Sequence, residues 1–360
     1  MVPHITVVVV PTNPVLFGQY EVLETLGRGN FGQVVRVMDT TLDREVAIKL
    51  LRDPNQMLEE GRVLAGLSEI RNVLPIYHAA SELGQGYIVT PVARGGTVGD
   101  RIVSSHGAGI APPDAIRWVK QACNGISRVH EQGLVHNDIK PANLFFDEIQ
   151  EILVGDFGLA ARMNANGLAA PRGTLETMAP EVARAMLAGD PHGSSIVSDV
   201  YSLGASLHWM LAGEPPISFP PGTSEIEAFA ATSSEPRTPL RDVAPHVGQQ
   251  LAQRVAKAMA FDPNDRYPNV SAFAADLAFR PSSRRAWHRT DEHHDHHGCW
   301  RGETRGAATI LVCAVPAANG AVDVVACKMP SQRSVRSVSG RARLKALPAL
   351  LRKTFAQLDR

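Results

Sequence analysis

The hydrophobic pattern of this chain changes its period at Gly95-Gly96, and this change limits the folds that the chain can adopt. After the glycines, apolar residues recur at helical spacing, with the clearest examples over 114–129, 199–211 and 248–259. Before them, short β-branched or alternating runs are separated by turn residues and by one helical stretch, 54–67. The strands predicted from these runs cover 20–26, 33–38, 45–50 and 87–92. The pattern predicts an α+β chain, with a small β-rich lobe followed by a larger helical lobe.

The composition is that of an ordinary globular protein and excludes several other classes. Of the 360 residues, 44% are hydrophobic and 20% are charged, which argues against a mostly disordered chain. No apolar run approaches the ~18 residues of a membrane-spanning helix, and no basic segment precedes the short apolar run near the N-terminus. Four cysteines, three of them beyond residue 298, do not make a disulfide framework. We therefore expect a cytoplasmic protein without a membrane segment.

Charge is balanced over the whole chain but not along it. Lys and Arg together number 36, as do Asp and Glu, so the overall charge gives no nucleic-acid signal. Residues 281–360 nevertheless carry 14 basic and six acidic side chains, against 22 and 30 in the residues before them. We interpret 1–16 as an N-terminal segment, 281–306 as a linker rich in His and Arg, and 307–360 as a small basic α/β extension. An anionic molecule is the partner that such an extension would suit.

Two features of the C-terminal part predict local structure. Apolar runs over 309–315 and 321–328, with Asn319-Gly320 between them, predict a β-hairpin, and 344–358 reads as a basic amphipathic helix. Four serines alternate with four arginines over 331–343, which indicates a flexible basic segment. An autophosphorylation cluster and an anion-binding patch are the alternatives for this segment.

The segment before the hairpin is rich in residue types that bind Zn²⁺ and similar metals. These residues are His288, His293, His294, His296, His297 and Cys299. Their spacing matches no familiar zinc finger, and histidine-rich tracts are by themselves only a compositional signal. A solvated linker is therefore the preferred interpretation, with a metal site as the alternative.

Two motifs in the β-rich part suit phosphate binding. Gly27, Gly29 and Gly32 form a G-x-G-x-x-G pattern between two predicted strands, where glycines let the backbone approach a phosphate closely. The chain continues from Val34 as a strand, whereas a dinucleotide-binding fold would continue as a helix. Further along, a predicted strand ends in a single cation, Lys49. Each motif alone is weak, because turn glycines and solvated lysines are common.

Further motifs follow in the helical part and give the pattern its specificity. They are His136-Asn137-Asp138-Ile139-Lys140-Pro141-Ala142-Asn143, then Asp156-Phe157-Gly158, then Ala179-Pro180-Glu181. Together with the glycine motif and Lys49, and in this order, they make the chain resemble the serine/threonine protein kinases, of the bacterial eukaryotic-like type, over about residues 17–280. The resemblance implies a bilobal protein-kinase-like fold, with an N-lobe over about 17–93 and a C-lobe over about 94–280. It also implies transfer of the γ-phosphate of ATP to Ser or Thr hydroxyls of protein substrates.

The resemblance implies a role for each site residue. Asp138 would orient the substrate hydroxyl and accept its proton, and Lys140 matches a lysine that touches the γ-phosphate in serine/threonine kinases. Lys49 would hold the α- and β-phosphates. Asn143 and Asp156 would supply oxygens to Mg²⁺, a hard cation that favours them. Beside the three glycines, the nucleotide site would include Val34, Ala47, Val92 and Ala93.

Lys49 needs a carboxylate that fixes its position, and the hinge after the last N-lobe strand needs backbone groups that hold adenine. Residues 58–64 resemble the regulatory helix of the family, which makes Glu60 the partner of Lys49, with Glu59 as the alternative. Pro91 lies at the start of the hinge and has no N–H to donate, so adenine would bind backbone groups of Val92 and Ala93.

Three further pairs are implied as architecture. Asp199 would anchor the catalytic loop from within the long central helix, and Arg266 would pair with Glu181. Thr174 would meet Asp138 near the substrate hydroxyl.

The chain departs from the family at the site of regulation. Asn137 stands where most regulated kinases have an arginine that pairs with a phosphorylated residue of the activation loop. Residues 159–173 also contain no Ser, Thr or Tyr. The phosphate acceptor and its cationic receiver are therefore absent together, which predicts a loop that phosphorylation does not switch.

Two other functions stay open beside the kinase. A kinase-fold scaffold with little catalytic power would be expected to lack Lys49, Asp138 or Asp156, and all three are present. A small-molecule phosphotransferase of the same broad fold usually lacks the Ala-Pro-Glu segment and the glycine pattern, and both are present.

Overall fold

The computed structural model describes residues 13–29, 32–51, 67, 70–279, 285–304, 306–335 and 338–359. The chain divides into two compact units. The first contains Met1–Glu69 and Leu74–Val92, and the second contains Ile70–Val73 and Ala93–Arg360. The helix predicted over 54–67 lies outside the described residues, apart from Leu67.

The first unit is an antiparallel sheet of six strands in the order β1-β2-β3-β4-β6-β5. The strands are β1 (Val15–Leu16), β2 (Tyr20–Gly29), β3 (Gly32–Asp39), β4 (Arg44–Leu51), β5 (His78–Glu82) and β6 (Gln85–Pro91). Strands β2, β3, β4 and β6 confirm the four strands predicted from the alternating pattern.

One face of this sheet forms the core of the first unit. Val35 lies opposite Ile48, and Val37 lies opposite Val46, across the pairing of β3 with β4. These four side chains are buried in one cluster with Tyr20, Tyr87 and Val89. Because side chains alternate along a strand, the residues between them lie on the other face of the sheet.

The second unit is mainly helical, which confirms the α+β class. Its helices are α1 (Val98–Ser104), α2 (Pro112–Glu131), α3 (Pro180–Ala188), α4 (Ile196–Ala212), α5 (Glu225–Ser234), α6 (Leu240–Val243), α7 (Gln249–Ala258), α8 (Val270–Asp276) and α9 (Leu347–Leu358). The predicted helices at 114–129, 199–211 and 248–259 are confirmed as α2, α4 and α7. Within the described residues, no helix combines the length and the apolar character needed to cross a bilayer.

Helix α4 is almost entirely buried, and its two ends have clear local signals. At its start, the Ser195 hydroxyl accepts a hydrogen bond from the backbone N–H of Val197, and Ser198 accepts one from the N–H of Ser195. At its end, Gly213 has a φ of +81°, and a Cβ there would lie 2.5 Å from the carbonyl oxygen of Gly107. The positive φ interrupts the helical backbone, and only glycine fits this position, so the helix ends before Gly213.

Two short antiparallel pairs of strands lie between α2 and α3 and hold the loops of this region. Strand β7 (Leu134–Val135) pairs with β10 (Ala161–Arg162), and β8 (Leu144–Phe146) pairs with β9 (Ile152–Val154). The loops that leave these strands contain the predicted catalytic and metal-binding residues.

The C-terminal part of the second unit is a further antiparallel sheet covered by α9. Its strands are β11 (Ala286–Thr290), β12 (Gly298–Glu303), β13 (Ile310–Pro316), β14 (Ala321–Lys328), β15 (Arg333–Ser334) and β16 (Gly340–Arg343). The predicted hairpin is confirmed as β13 and β14, and the predicted helix is confirmed as α9. Trp287, Trp300, Val312 and Phe355 lie in the core between sheet and helix.

The interpretation of 281–306 as a linker is wrong for most of its length. Strands β11 and β12 lie in that range and pair with each other, and β12 also pairs with β13. The range contains few apolar residues, but two of them, Trp287 and Trp300, are large and buried. These two side chains contribute to a hydrophobic core that the His- and Arg-rich composition of the range did not predict.

The C-terminal sheet and helix contact the preceding helical part directly. On α9, Arg352 Nη1 donates hydrogen bonds to the carbonyl oxygen of Arg241 and to Asp242 Oδ1, both at 2.8 Å. On β11, Arg289 Nη1 donates to the carbonyl oxygen of Gly107 at 3.3 Å. The C-terminal part is therefore packed against the helical part within one compact unit.

Candidate active site

The loop after β7 is held by one buried carboxylate, that of Asp199 on α4. Asp199 Oδ2 accepts the backbone N–H of His136 at 2.8 Å, and Oδ1 accepts that of Asn137 at 3.0 Å. The ring Nε2 of His130 lies 2.7 Å from Oδ2. The anchor predicted for Asp199 is therefore confirmed, and His130 on α2 is an additional contact that the sequence analysis did not identify.

His136 connects this loop to the next one. The backbone N–H of Asp138 donates to His136 Nδ1 at 3.2 Å, so Nε2 is the nitrogen that carries the proton in the neutral ring. Nε2 then donates to the carbonyl oxygen of Gly155 at 3.2 Å. The ring also contacts Phe157, with ring centroids 4.7 Å apart. The backbone around Asp138 and the backbone beside Asp156 are thus tied through one imidazole.

Asp138 is the centre of a compact polar cluster. Thr174 Oγ1 donates to Asp138 Oδ1 at 2.5 Å, as predicted for this pair, and Lys140 Nζ lies 2.9 Å from Asp138 Oδ2. Lys140 Nζ also donates to Thr174 Oγ1 at 2.7 Å. Asn143 Nδ2 donates to Asp138 Oδ2 at 3.0 Å. The structure therefore brings a buried carboxylate, a lysine, a hydroxyl and an amide into one hydrogen-bonded group.

The β8–β9 hairpin places Asn143 and Asp156 at the same end. Asn143 directly precedes β8, and a single residue, Gly155, separates the end of β9 from Asp156. Leu144 lies opposite Val154 in the antiparallel register. The backbone N–H of Gly155 donates to the carbonyl oxygen of Asn143 at 3.0 Å.

The donor set at this end of the hairpin fits Mg²⁺. Because the amide nitrogen of Asn143 faces Asp138, its amide oxygen is the group available to a cation. Amide and carboxylate oxygens are ligands that Mg²⁺ accepts. Asp156 has a φ of +59°, an uncommon backbone conformation for a residue other than glycine. Such conformations cluster at functional sites.

In the first unit, the residues predicted for nucleotide binding share one face of the sheet. Val34 lies directly opposite both Gly27 on β2 and Lys49 on β4. Ala47 is two residues from Lys49 and therefore points to the same side. This face is the one opposite the cluster that contains Val35 and Ile48. Gly29 and Gly32 lie opposite each other where the hairpin turns.

Gly32 is the position of this hairpin where a side chain is excluded. Its φ is +143°, and a Cβ there would collide with the carbonyl oxygen of Leu50. Gly27, by contrast, has no heavy atom within 4 Å of the place where a Cβ would be. The glycine pattern therefore serves the hairpin geometry at Gly32, while Gly27 leaves open space on the face shared with Lys49.

Of the remaining predicted residues, the structure describes Val92 and Ala93 but not the two glutamates. Val92 is the last residue of the first unit, and Ala93 is the first residue of the longer segment of the second unit, where its carbonyl oxygen accepts the N–H of Gly96 at 3.0 Å. Glu60 and its alternative Glu59 lie outside the described residues. The pairing of either with Lys49 stays a prediction.

Asn137 has a structural role that the sequence analysis did not identify. Its Nδ2 donates to the carbonyl oxygen of Leu159 at 2.9 Å and to that of Ala170 at 3.2 Å. These two carbonyls lie near the two ends of the segment 159–173. The residue that replaces the usual arginine therefore bridges the segment by neutral hydrogen bonds.

The predicted pair of Arg266 with Glu181 is confirmed. Arg266 Nη1 and Nη2 donate to the two oxygens of Glu181, each at 2.7 Å, and Arg266 Nε donates to the carbonyl oxygen of Ala260 at 2.7 Å. Such a bidentate pair fixes both position and orientation, and here it connects the start of α3 to the loop before α8.

Comparison with known proteins agrees with these features, and the chain belongs to the protein kinase family. The protein kinase domain matches residues 20–276. Among similar proteins, serine/threonine-protein kinase PknB of Mycolicibacterium smegmatis is 34% identical over 282 residues, which are 73% of this chain and 43% of that protein. PknB of Mycobacterium tuberculosis is 32% identical over 280 residues, 73% of this chain and 43% of that protein.

A third relative extends the comparison beyond the mycobacteria. Serine/threonine-protein kinase PrkC of Bacillus subtilis is 30% identical over 271 residues, 72% of this chain and 40% of that protein. The resemblance to bacterial serine/threonine-protein kinases is thereby confirmed. The chain spans less than half the length of these relatives.

Proposed function

We propose that this chain transfers the γ-phosphate of ATP to Ser or Thr hydroxyls of protein substrates. In this proposal Asp138 accepts the proton of the substrate hydroxyl and Lys140 contacts the transferred phosphate. Lys49, partnered by Glu60, and the glycines of the β2–β3 hairpin hold the nucleotide phosphates. Mg²⁺, held by Asn143 and Asp156, would neutralise charge on the phosphate oxygens.

The observation that carries this proposal is the cluster around Asp138. Lys140 and Thr174 contact both Asp138 and each other, at 2.5–2.9 Å, and this arrangement holds a base, a cation and a hydroxyl in place before any substrate arrives. Phosphoryl transfer depends mostly on positioning and electrostatic stabilisation, so preorganised polar groups are what it requires. The lysine two residues after the catalytic aspartate further supports Ser and Thr as acceptors.

A transfer assay with labelled ATP and Mg²⁺ tests the proposal, using peptides that each offer a single Ser, Thr or Tyr. We expect labelled Ser and Thr peptides, and a rate that falls by about 10²–10⁴ in Asp138→Asn because the proton acceptor is lost. Asp114→Asn is the matched control, since Asp114 is exposed on α2 and pairs with Arg117. A folded Asp138→Asn protein with the wild-type rate would overturn the assignment. Labelling of small metabolites but of no peptide would instead support the phosphotransferase alternative.

We further propose that the segment 159–173 is ordered without phosphorylation. The Asn137 bridge to Leu159 and Ala170 supports this, as does the reciprocal backbone pairing of Ala169 with Ser194 at 2.8 and 3.1 Å. The Met163 N–H also donates to the carbonyl oxygen of Gly133 at 2.8 Å. These contacts use neutral groups that are present from synthesis onward, so no added phosphate is needed to form them.

Progress curves of phosphatase-treated and untreated protein test this second proposal. Both should start without a lag and run at the same rate. In limited proteolysis, Asn137→Ala should be cut within 159–173 faster than wild type. The matched control is Asn166→Ala, an exposed residue of the same segment. A lag that shortens as Thr174 or Thr177 becomes phosphorylated would contradict the proposal.

A further inference from the structure

Four metal-binding side chains meet in the C-terminal sheet, although the sequence separates one of them from the rest. They are His293 and His296 in the β11–β12 loop, Cys299 on β12 and Cys313 on β13. One ligand atom from each lies within 4.8 Å of all the others. None of these residues belongs to the proposed kinase site, so the cluster needs a separate explanation.

The fold brings these residues together through the register of two strands. Cys299 and Cys313 are direct cross-strand partners in the pairing of β12 with β13. Because partners in register point to the same face, their sulfurs lie side by side, at 3.3 Å. The loop before β12 then folds back over them. It places Nδ1 of His293 at 3.2 Å and Nδ1 of His296 at 3.3 Å from the sulfur of Cys299.

The distances are close to those between the ligands of a tetrahedral zinc ion. With Zn–N bonds of about 2.0 Å and Zn–S bonds of about 2.3 Å, tetrahedral geometry separates ligand atoms by about 3.3–3.8 Å. Four of the distances between these ligand atoms are 3.2, 3.3, 3.3 and 3.6 Å, the last between Nδ1 of His293 and the sulfur of Cys313, and the other pairs lie within 4.8 Å. The four ligand atoms are therefore close enough together for one ion to contact all of them after small side-chain movements, which include a wider separation of the two sulfurs.

Burial and charge also suit a divalent cation. Both cysteines are buried, and Leu311 packs against them, while His293 is exposed and closes the site from the solvent side. Two thiolates would balance the two positive charges of the ion. The neighbouring carboxylate of Glu292 is already engaged, because Arg301 Nη2 donates to both of its oxygens at 3.2 and 3.3 Å. The site therefore offers four protein ligands without an additional charge.

We propose that His293, His296, Cys299 and Cys313 bind one Zn²⁺ as a structural site. Thiolate together with imidazole is the ligand set that favours zinc over Mg²⁺ or Ca²⁺, and four protein ligands leave no open position for catalysis. The ion connects the β11–β12 loop to β13 and so stabilises the C-terminal sheet. The solvated linker that the sequence analysis preferred for this His-rich tract is replaced by this site.

Metal analysis of the full chain, purified without a polyhistidine tag and dialysed against metal-free buffer, is the first test. We expect about one zinc per chain in the wild type, and less than about a tenth of that in Cys299→Ser or Cys313→Ser. The matched control is His294→Ala, an exposed histidine of the same tract outside the cluster, which should keep its zinc. Equal loss of zinc from the control and from the cysteine variants would overturn the assignment of ligands.

Cobalt substitution of the wild type keeps the test independent of whether the variants fold. Co²⁺ added to zinc-stripped protein should give the intense visible bands of tetrahedral coordination together with thiolate charge-transfer absorption. Zinc should displace these bands at one equivalent. Absence of both zinc and the cobalt spectrum would overturn the proposal. So would a disulfide between Cys299 and Cys313 in protein isolated without reductant, detected by mass spectrometry as a loss of two hydrogens.

Discussion

At the residue scale, the loop that contains Asp138 depends on buried polar groups that act through backbone hydrogen bonds. The side chain of Asp199 is completely buried, and its two oxygens hold the N–H groups of His136 and Asn137. Removing an acceptor from buried donors carries a full desolvation penalty, whereas an exposed carboxylate exchanges its partners with water. Substitution of Asp199 is therefore expected to act on the stability of the loop that contains Asp138.

Asp199→Asn should lower the free energy of unfolding by about 1–3 kcal/mol. The amide has a single acceptor oxygen, whereas the donors around Asp199 use both oxygens of its carboxylate. Urea denaturation followed by circular dichroism measures the change. Asp114→Asn, on the exposed face of α2, should stay within about 0.5 kcal/mol of wild type. A shift at Asp199 no larger than that of the control would show that the anchor contributes nothing to stability.

His246 provides a pH-dependent contribution to stability. Burial, together with the charges of Arg289 and His288, lowers the pKa of this imidazole to about 3. In the unfolded chain the pKa is about 6.5, so below that pH the unfolded state takes up a proton that the folded state excludes. The stability is therefore complete above pH 6.5 and decreases as the pH falls toward 3.

His246→Leu removes this proton uptake, so the variant should lose less stability on acidification than the wild type. Between pH 7.5 and pH 5, the difference in unfolding free energy between the two proteins should change by about 2 kcal/mol in favour of the variant. Denaturation curves at several pH values measure it. His192→Leu, at an exposed position, should leave the pH dependence of the wild type unchanged, and parallel curves for all three proteins would contradict the prediction.

At the scale of the elements, two glycines of the β2–β3 hairpin have different surroundings. Gly32 adopts a positive φ and lies against the Leu50 carbonyl, whereas Gly27 has room for a methyl group. Both belong to the same G-x-G-x-x-G pattern. The local geometry of the hairpin therefore requires glycine at Gly32 but not at Gly27.

Gly32→Ala should destabilise the protein by about 1–3 kcal/mol, because the added Cβ meets strand β4 and the backbone conformation is strained. Gly27→Ala should leave the thermal midpoint near that of wild type. Differential scanning calorimetry of the two variants compares them directly. Equal midpoints would mean that the hairpin adjusts to the methyl group at Gly32.

At the scale of the whole molecule, the C-terminal sheet is a part of the second unit rather than an independent appendage. Arg352 and Arg289 contact the helical part through Asp242 and Gly107. The basic charge of residues 281–360 is thus partly directed at the acidic remainder of the chain. Contacts of this kind link the stability of the kinase helices to that of the extension.

Removal of residues 281–360 should lower the thermal midpoint of the remaining chain, because Asp242 and Gly107 lose their hydrogen-bond partners. Calorimetry of the full and the shortened chains measures this. Arg352→Ala in the full chain should give a smaller shift of the same sign, since it removes one partly exposed contact. An unchanged midpoint in the shortened chain would mean that the contacts carry no stability.

The sequence alone was sufficient to predict the features that depend on residues close to one another along the chain. The change of period at Gly95-Gly96 predicted the β-rich and helical parts, and the motifs around Asp138 and Asp156 predicted which loops carry polar side chains. Strand and helix periodicity reports which face of each element is buried, and turn residues report where it ends. The family resemblance also implied that Asn143 and Asp156 lie close together, since both would bind one cation.

Only the tertiary structure decided the contacts between distant residues that the family resemblance did not imply. Cys313 joins Cys299 through a strand register, and Asn137 reaches Leu159 and Ala170 through the folding of a loop. The register of a strand pair and the course of a loop depend on the packing of the whole unit, since each is selected by the burial of many side chains at once. The His-rich tract illustrates the difference, because its composition indicated a linker, whereas its fold brings together four side chains of the types that bind metals.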